Sequence, residues 1–287
     1  MTESLGRDHV LRALTDDGAF RVITARTTDT VAATIERQRA TGPTARHFGD
    51  LLTCAILFRE TMAPDLRVQA IVKGVRGTGS LVADAHPSGR TRGLVQLPEG
   101  VGEIDLGAGA LLRMLRTLPG GRIQQGVVEV RAGGTVSDAL MAYMQASEQV
   151  DTMLAVATAM DGERVVAAGG YLVQLLPEVG RGPLLVMAER LEEFREVTAH
   201  VRDAAFSPAW LLGELLHAMS FTEVGRGDLS FDCWCDEARV LGALATLGRA
   251  DLEHLLESGE ALSISCDYCR REYGVPVATL RGLRERS

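Results

Sequence analysis

The alternation of apolar and polar residues changes period several times along the chain, and each change marks an element. After a short helix-like start, "FRVITART" (Phe20 to Thr27) has the β-branched character of a strand. "TTDTVAATIERQRATG" then moves to helical spacing and ends at Gly42 and Pro43. From Thr44 a long apolar helix runs to a stop before Pro64, with Leu51, Cys54, Leu57 and Phe58 near one face, which places Cys54 in a core. "LRVQAIVKG", "GSLVADAHPSG" and "RTRGLVQLPEG" read as hairpin-linked antiparallel strands. Further strands follow in "GALLRMLRTL" and "RIQQGVVEVRAGG", then a helix from "TVSDALMAYMQAS" with Thr135 as N-cap. "VDTMLAVATAM", "ERVVAAGG" and "YLVQLLPEV" complete the strands of a unit that closes near Val179.

The pattern then turns helical. Met187, Leu191, Phe194, Val197 and Val201 stripe one predicted helix, and Leu212, Leu215, Leu216 and Met219 stripe a second. The stretch "PAWLLGELLHAMSF" concentrates Trp210, Leu211, Leu212, Leu215, Leu216, Met219 and Phe221, a surface too apolar to be left in water. Beyond it, "DEARVLGALATLG" and "RADLEHLLESG" read as helices and "ALSIS" as a strand. The fold class expected is α+β: an N-terminal domain of antiparallel sheet packed with helices (1–180), a helical linker (181–228) and a small C-terminal domain (229–287).

Composition narrows the function classes. The chain of 287 residues is 46% hydrophobic and 24% charged, as folded proteins are, and carries a net charge of −8, which argues against a broad nucleic-acid footprint. No segment offers the ~18 charge-free apolar residues of a membrane span, and the N-terminus lacks a signal-peptide pattern, so a cytoplasmic location is expected. "KGVRGTGS" lacks the lysine and hydroxyl spacing of a phosphate-binding loop, the histidines form no triad or metal spacing, and His254 reads as a solvated helix residue. No enzymatic constellation emerges.

The chemistry lies in the cysteines. Four of the five fall in the last fifth of the chain, as "FDCWCDEARV" (Cys233, Cys235) and "CDYCRREYGV" (Cys266, Cys269), separated by the thirty residues Asp236 to Ser265. In a reducing compartment such spacing points to metal or redox chemistry rather than static disulfides. Four thiolates make the tetrahedral shell that Zn²⁺ prefers, and a segment of about 60 residues needs such support. Each pair is also short enough in backbone terms to reach the ~4.4–6.8 Å Cα separation of a disulfide. Oxidation would then remove the ligands, expel the metal and unfold the segment. A permanently closed structural zinc site fits the spacing equally well. A metal-free thiol oxidoreductase is disfavoured because no thioredoxin-like βαβ context surrounds Cys266 and Cys269. Arg239, Arg270 and Arg271 are placed to offset thiolate charge, and Trp234 to pack on the small domain.

These cysteines resemble those of the redox-regulated bacterial chaperone family, heat shock protein 33 (the 33 kDa chaperonin). That family carries a CxC followed by an arginine-valine step, here Arg239 and Val240, and a CxxC followed by a tyrosine, here Tyr273. "YMQASEQVDTMLAVA", around Ser147, Glu148 and Gln149, and "AAGGYLVQLLPE" (Ala167 to Glu178) extend the resemblance through the first domain. Asp236 departs from it, standing where the family usually has serine. The resemblance implies one Zn²⁺ per chain held by Cys233, Cys235, Cys266 and Cys269 in an inactive reduced state. It further implies Cys233–Cys235 and Cys266–Cys269 disulfides with zinc release on oxidation, and ATP-independent holding of unfolded client proteins by a homodimer. No catalytic residue is implied. The alternative is a constitutive zinc-stabilised protein-binding module without redox switching.

Overall fold

The computed structural model describes residues 6–118, 120–176 and 182–285. They group into two compact units, divided between Asp232 and Cys233. The expected boundary near Val179, and the end of the "AAGGYLVQLLPE" stretch at Pro177 and Glu178, lie outside the described residues.

The first unit is built on two sheets. One has five strands in the order β10-β1-β2-β9-β8, from β1 (His9–Thr15), β2 (Phe20–Arg26), β8 (Thr152–Asp161), β9 (Arg164–Leu175) and β10 (Phe221–Asp228), every pairing antiparallel. The other has six in the order β11-β5-β4-β3-β6-β7, from β3 (Val68–Lys73), β4 (Ser80–Ala85), β5 (Arg90–Gln96), β6 (Leu111–Thr117), β7 (Ile123–Glu129) and the two-residue β11 (Ser230–Phe231). Only β11 on β5 runs parallel. The hairpin reading of β3, β4 and β5 holds, with the "KGVRGTGS" stretch as the short turn between the first two.

Helix α1 (Thr28–Gln38) and the long α2 (Gly42–Glu60) lie between the sheets, α2 touching β8 and β9 on one side and β3 to β5 on the other. Gly42 and Pro43 open α2 rather than close α1, since proline suits the first helical turn, where its missing N–H has no partner to lose. The layer is filled by Phe48, Leu51, Leu52, Leu57 and Phe58, each no more than 1% exposed. Cys54 is buried there, and loss of solvation pushes its thiol well above the ordinary range, as suits a core residue. Helix α3 (Val136–Tyr143) begins with the predicted cap: Thr135 accepts from the Asp138 N–H and the Asp138 carboxylate accepts from the Thr135 N–H, a capping box. It ends in a π turn at Met144–Glu148, where Glu148 accepts from the Tyr143 hydroxyl and from Arg116, at 2.9 and 2.7 Å.

The second face of the five-stranded sheet is covered by residues that lie between β9 and β10 in the chain. Helices α4 (Gly182–Leu191), α5 (Thr198–Val201) and α6 (Pro208–Leu215) bring Met187, Leu191, Phe194, Val197, Val201, Leu211, Leu212, Leu215 and Leu216 onto Val22, Ala155, Ala157, Tyr171 and Val173. Both predicted stripes therefore face this sheet.

Four further expectations are corrected. The helix-like start is strand β1, which sits between β2 and β10 and buries Val10, Leu11 and Ala13 on the two faces of the sheet. "ERVVAAGG" and "YLVQLL" are one strand, β9, because Gly169 and Gly170 admit close packing: a Cβ at Gly169 would lie 2.4 Å from the Ala25 carbonyl, and one at Gly170 2.2 Å from that of Ala155. The first connector helix is broken after Leu191 by a 3-10 turn. The connector is helical only to Leu215, and Phe221–Asp228 is strand β10, where a polar, glycine-bearing sequence is recruited by β1 rather than by its own propensity.

The second unit holds α7 (Glu237–Leu244), α8 (Arg249–Leu256), the hairpin β12 (Leu262–Ser265) and β13 (Glu272–Val275), and α9 (Val277–Arg284). Among the described residues its buried aliphatic side chains number four, Leu244, Leu252, Val275 and Leu280, flanked by half-buried leucines and valines. So small a core falls short of what independent folding of such a piece requires. Among the described residues no helix is long and apolar enough to cross a membrane.

Candidate metal centre

The four cysteines come together because two local structures present them. Cys233 and Cys235 lie in the irregular chain leading into α7, whose start is fixed by Asp236: its carboxylate accepts from the Arg239 N–H at 2.7 Å. The residue that departs from the resemblance thus serves as N-cap, a task aspartate and serine perform about equally well. Cys266 and Cys269 occupy the turn between β12 and β13. There the Cys266 N–H donates to the Arg271 carbonyl and the Cys266 carbonyl accepts from the Arg270 N–H, at 2.8 and 2.7 Å, while Arg270 takes a left-handed backbone, φ 60°.

The sulfurs form a cage. Sγ of Cys233 is 3.8 Å from that of Cys266, Sγ of Cys235 is 3.3 Å from that of Cys269, and all four lie within 4.8 Å of one another. A tetrahedron with metal–sulfur bonds of ~2.3 Å has edges of about 3.8 Å, so the cage brackets the size that a four-thiolate ion demands. The donor set is soft and uniform, which suits Zn²⁺ over the oxygen-seeking Mg²⁺ or Ca²⁺. The residues present fit a metal ion.

The cage also holds its thiols unequally. Burial raises the Cys235 thiol, but hydrogen bonds from the Tyr273 hydroxyl (3.0 Å) and from the other three thiols outweigh it and bring the group down to about 7. Burial and the neighbouring sulfurs push Cys269 up to about 12. In the metal-free state, then, Cys235 gives up its proton well before Cys269.

Of the three arginines that the sequence placed nearby, Arg271 interacts with Tyr273 and, through charge, with Cys235 and Cys269, which raises its proton affinity. Arg239 is instead turned to Asp236, 3.6 Å away. Trp234 is half-buried, and His254 is exposed and faces Glu257, with no part in the cage. Spacing alone does not predict the contact of Tyr273 with Cys235; a hydroxyl four residues after the CxxC is its only trace in the sequence.

Comparison with known proteins gives a consistent result. A family model described as "Hsp33 protein" matches residues 8–276. The 33 kDa chaperonin of Syntrophotalea carbinolica is 29% identical over 96% of this chain and 99% of its own length. That of Picosynechococcus sp. is 27% identical over 97% of each. Among solved structures, the 33 kDa chaperonin (heat shock protein 33 homolog) of Thermotoga maritima superposes with a TM-score of 0.81 at 19% identity, covering 97% of this chain and 98% of that one, a likeness of fold.

Proposed function

Because this chain belongs to the Hsp33 family, matched from residue 8 to residue 276, we propose that it is a redox-regulated, ATP-independent holdase that keeps unfolding proteins from aggregating in the cytoplasm. The observation that carries this reading is the four-thiol cage set in a unit whose described residues bury just four aliphatic side chains. One Zn²⁺ per chain, held by Cys233, Cys235, Cys266 and Cys269, supplies the cross-link such a unit lacks; in small zinc modules that is about 10–16 kcal/mol of apparent folding free energy.

Oxidation removes all four donors. Each disulfide forms one S–S bond from two thiolates and gives two electrons to an oxidant of the peroxide class, which takes up two protons from solvent and is reduced to water. The pairing proposed from the family resemblance is Cys233–Cys235 and Cys266–Cys269. Because the separations of 3.8 and 3.3 Å run across the two halves, peptide mapping of the oxidised chain is the test of that pairing. Short-loop disulfides restore little of the lost order, since the loop entropy they remove is small.

The second half of the reading concerns what is uncovered. Residues 181–228 act as the redox-sensitive linker between the client-binding and dimerisation domain (1–180) and the switch domain (229–287). Its helices α4 to α6 cover one whole face of the five-stranded sheet with leucine, methionine and phenylalanine. Their undocking bares two complementary apolar surfaces large enough to hold hydrophobic segments of clients, and the active form is a homodimer.

The test is an oxidant titration of the zinc-loaded protein with mild heat, following free thiols, zinc release and light scattering from an unfolding client together. Loss of one zinc per chain with rising suppression of aggregation is expected. Zinc release without any suppression would refute the reading in favour of a constitutive zinc-stabilised module.

A further inference from the structure

Strand β10 and the two-residue β11 form a strap that ends at Phe231, two residues before Cys233. All of β1 pairs with it, from His9 opposite Asp228 to Thr15 opposite Phe221, with a bulge that leaves Val224 unpaired and 54% exposed. The strap's interior buries little: Thr222, Glu223, Val224, Arg226 and Asp228 are exposed, and two of its residues are glycines. It is anchored at its ends, by Phe221 against the α4–α6 cluster and by the buried Leu229, then by Phe231 under Arg37 and Asp232 beside Arg90. Strand β1 is the opposite case, with Val10, Leu11 and Ala13 no more than 2% exposed and with β2 paired along its other edge.

We propose that β1 carries a client-capture edge, masked by β10 in the reduced protein, at which an extended segment of an unfolding polypeptide adds as an antiparallel strand. This deepens the chaperone reading and rests on it. Two observations support the choice of occupant. The edge already accepts a strand that is mostly polar and lightly packed, so the backbone ladder, not side-chain fit, determines what binds. Such pairing is tolerant of sequence, as a holdase with many clients requires. The elements flanking the strap are also those whose order the switch controls: α4 to α6 before it and the cysteine unit after it. While both are folded, the tethered β10 competes at an effective concentration of about millimolar and excludes free chains. When they melt, the ends of the strap are no longer placed, β10 leaves, and β1 remains because β2 stays paired along its other edge and Val10 stays buried in the core between the sheets. Its unpaired N–H and C=O groups then form the kind of open edge that folded proteins keep covered.

Hydrogen exchange on the full-length protein tests this with a thermally unfolding client as probe. In the oxidised, zinc-free state the amides of residues 9–15 that point toward β10 should exchange about tenfold faster or more than in the reduced state and regain protection when client is bound, while those bonded to β2 stay protected throughout. The double substitution Glu223→Thr and Arg226→Thr strengthens β10, as both positions are exposed and threonine favours strands. That variant should release zinc like the parent yet suppress aggregation less. The proposal is overturned if the β1 amides that point toward β10 stay protected on oxidation while aggregation is suppressed, or if they remain fast with client bound. It is equally overturned if protection returns without client as protein concentration rises, since a second copy then takes the edge. Failure of the oxidised parent to suppress aggregation at all would instead sink the chaperone reading.

Discussion

Leu212→Ala tests whether the docked helices hold activity in check. Leu212 is wholly buried in α6, packed among residues that include Val22, Tyr171 and Val173, and α6 is pinned further by the Thr24 hydroxyl donating to the Pro208 carbonyl at 2.9 Å. Truncating a leucine buried to this degree costs about 2–5 kcal/mol, because neighbours on a sheet relax poorly into the space. If the loss falls on docking of α4 to α6, even about 2 kcal/mol raises the undocked population about 30-fold. The reduced, zinc-loaded variant should then bind a hydrophobic dye and suppress client aggregation at oxidant doses where the parent is silent. Leu185→Ala on α4, at a position 76% exposed, is the matched control and should behave as the parent. A Leu212→Ala protein that melts earlier but needs as much oxidant as the parent would refute the idea that docking is the restraint.

Tyr273→Phe removes the hydroxyl that donates to Cys235, so in the reduced, metal-free protein this thiol should move from about 7 toward its ordinary value of 9.0; alkylation of Cys235 at neutral pH should slow, and an unchanged pH profile would count against the contact. Asp236→Ala should cost about 0.5–2 kcal/mol through loss of the α7 cap, while Asp236→Ser should recover most of it, read from thermal melts of the zinc-loaded protein. Asp50 has a buried, unpartnered Oδ1, and burial raises its carboxyl to about 7 despite Thr158 and Arg46. A raised folded value stabilises the protonated form, so this contribution is full below the ordinary value of 3.8 and is lost as pH rises through about 7. Asp50→Asn should flatten the fall in denaturant midpoint between about pH 4 and pH 7, an effect on the order of a few kcal/mol.

What could be read from the chain alone is what depends on neighbours a few residues apart. The two cysteine pairs and the soft donor set are local, as are the Thr135 cap, the hairpins of β3 to β5 and the stripes of α4 and α6, because helical and strand periods and turn chemistry are written in adjacent positions. The family resemblance likewise rested on short spacings around Cys233 and Cys266. Folding in three dimensions was needed for whatever requires distant residues to meet in one register. Strand β1 carries no clear alternation, since it is buried on both faces, and β10 has polar and glycine content that no propensity would make a strand; each is a strand because the other, at the far side of the first unit's sequence, supplies half of a backbone ladder. Tyr273 reaches Cys235 across 38 residues, and Asp236 becomes legible as a cap only once α7 is seen to start there. The cage itself stands between these cases: its ligands are visible in the chain, but the closeness that lets four thiols share one centre is a property of the folded unit alone.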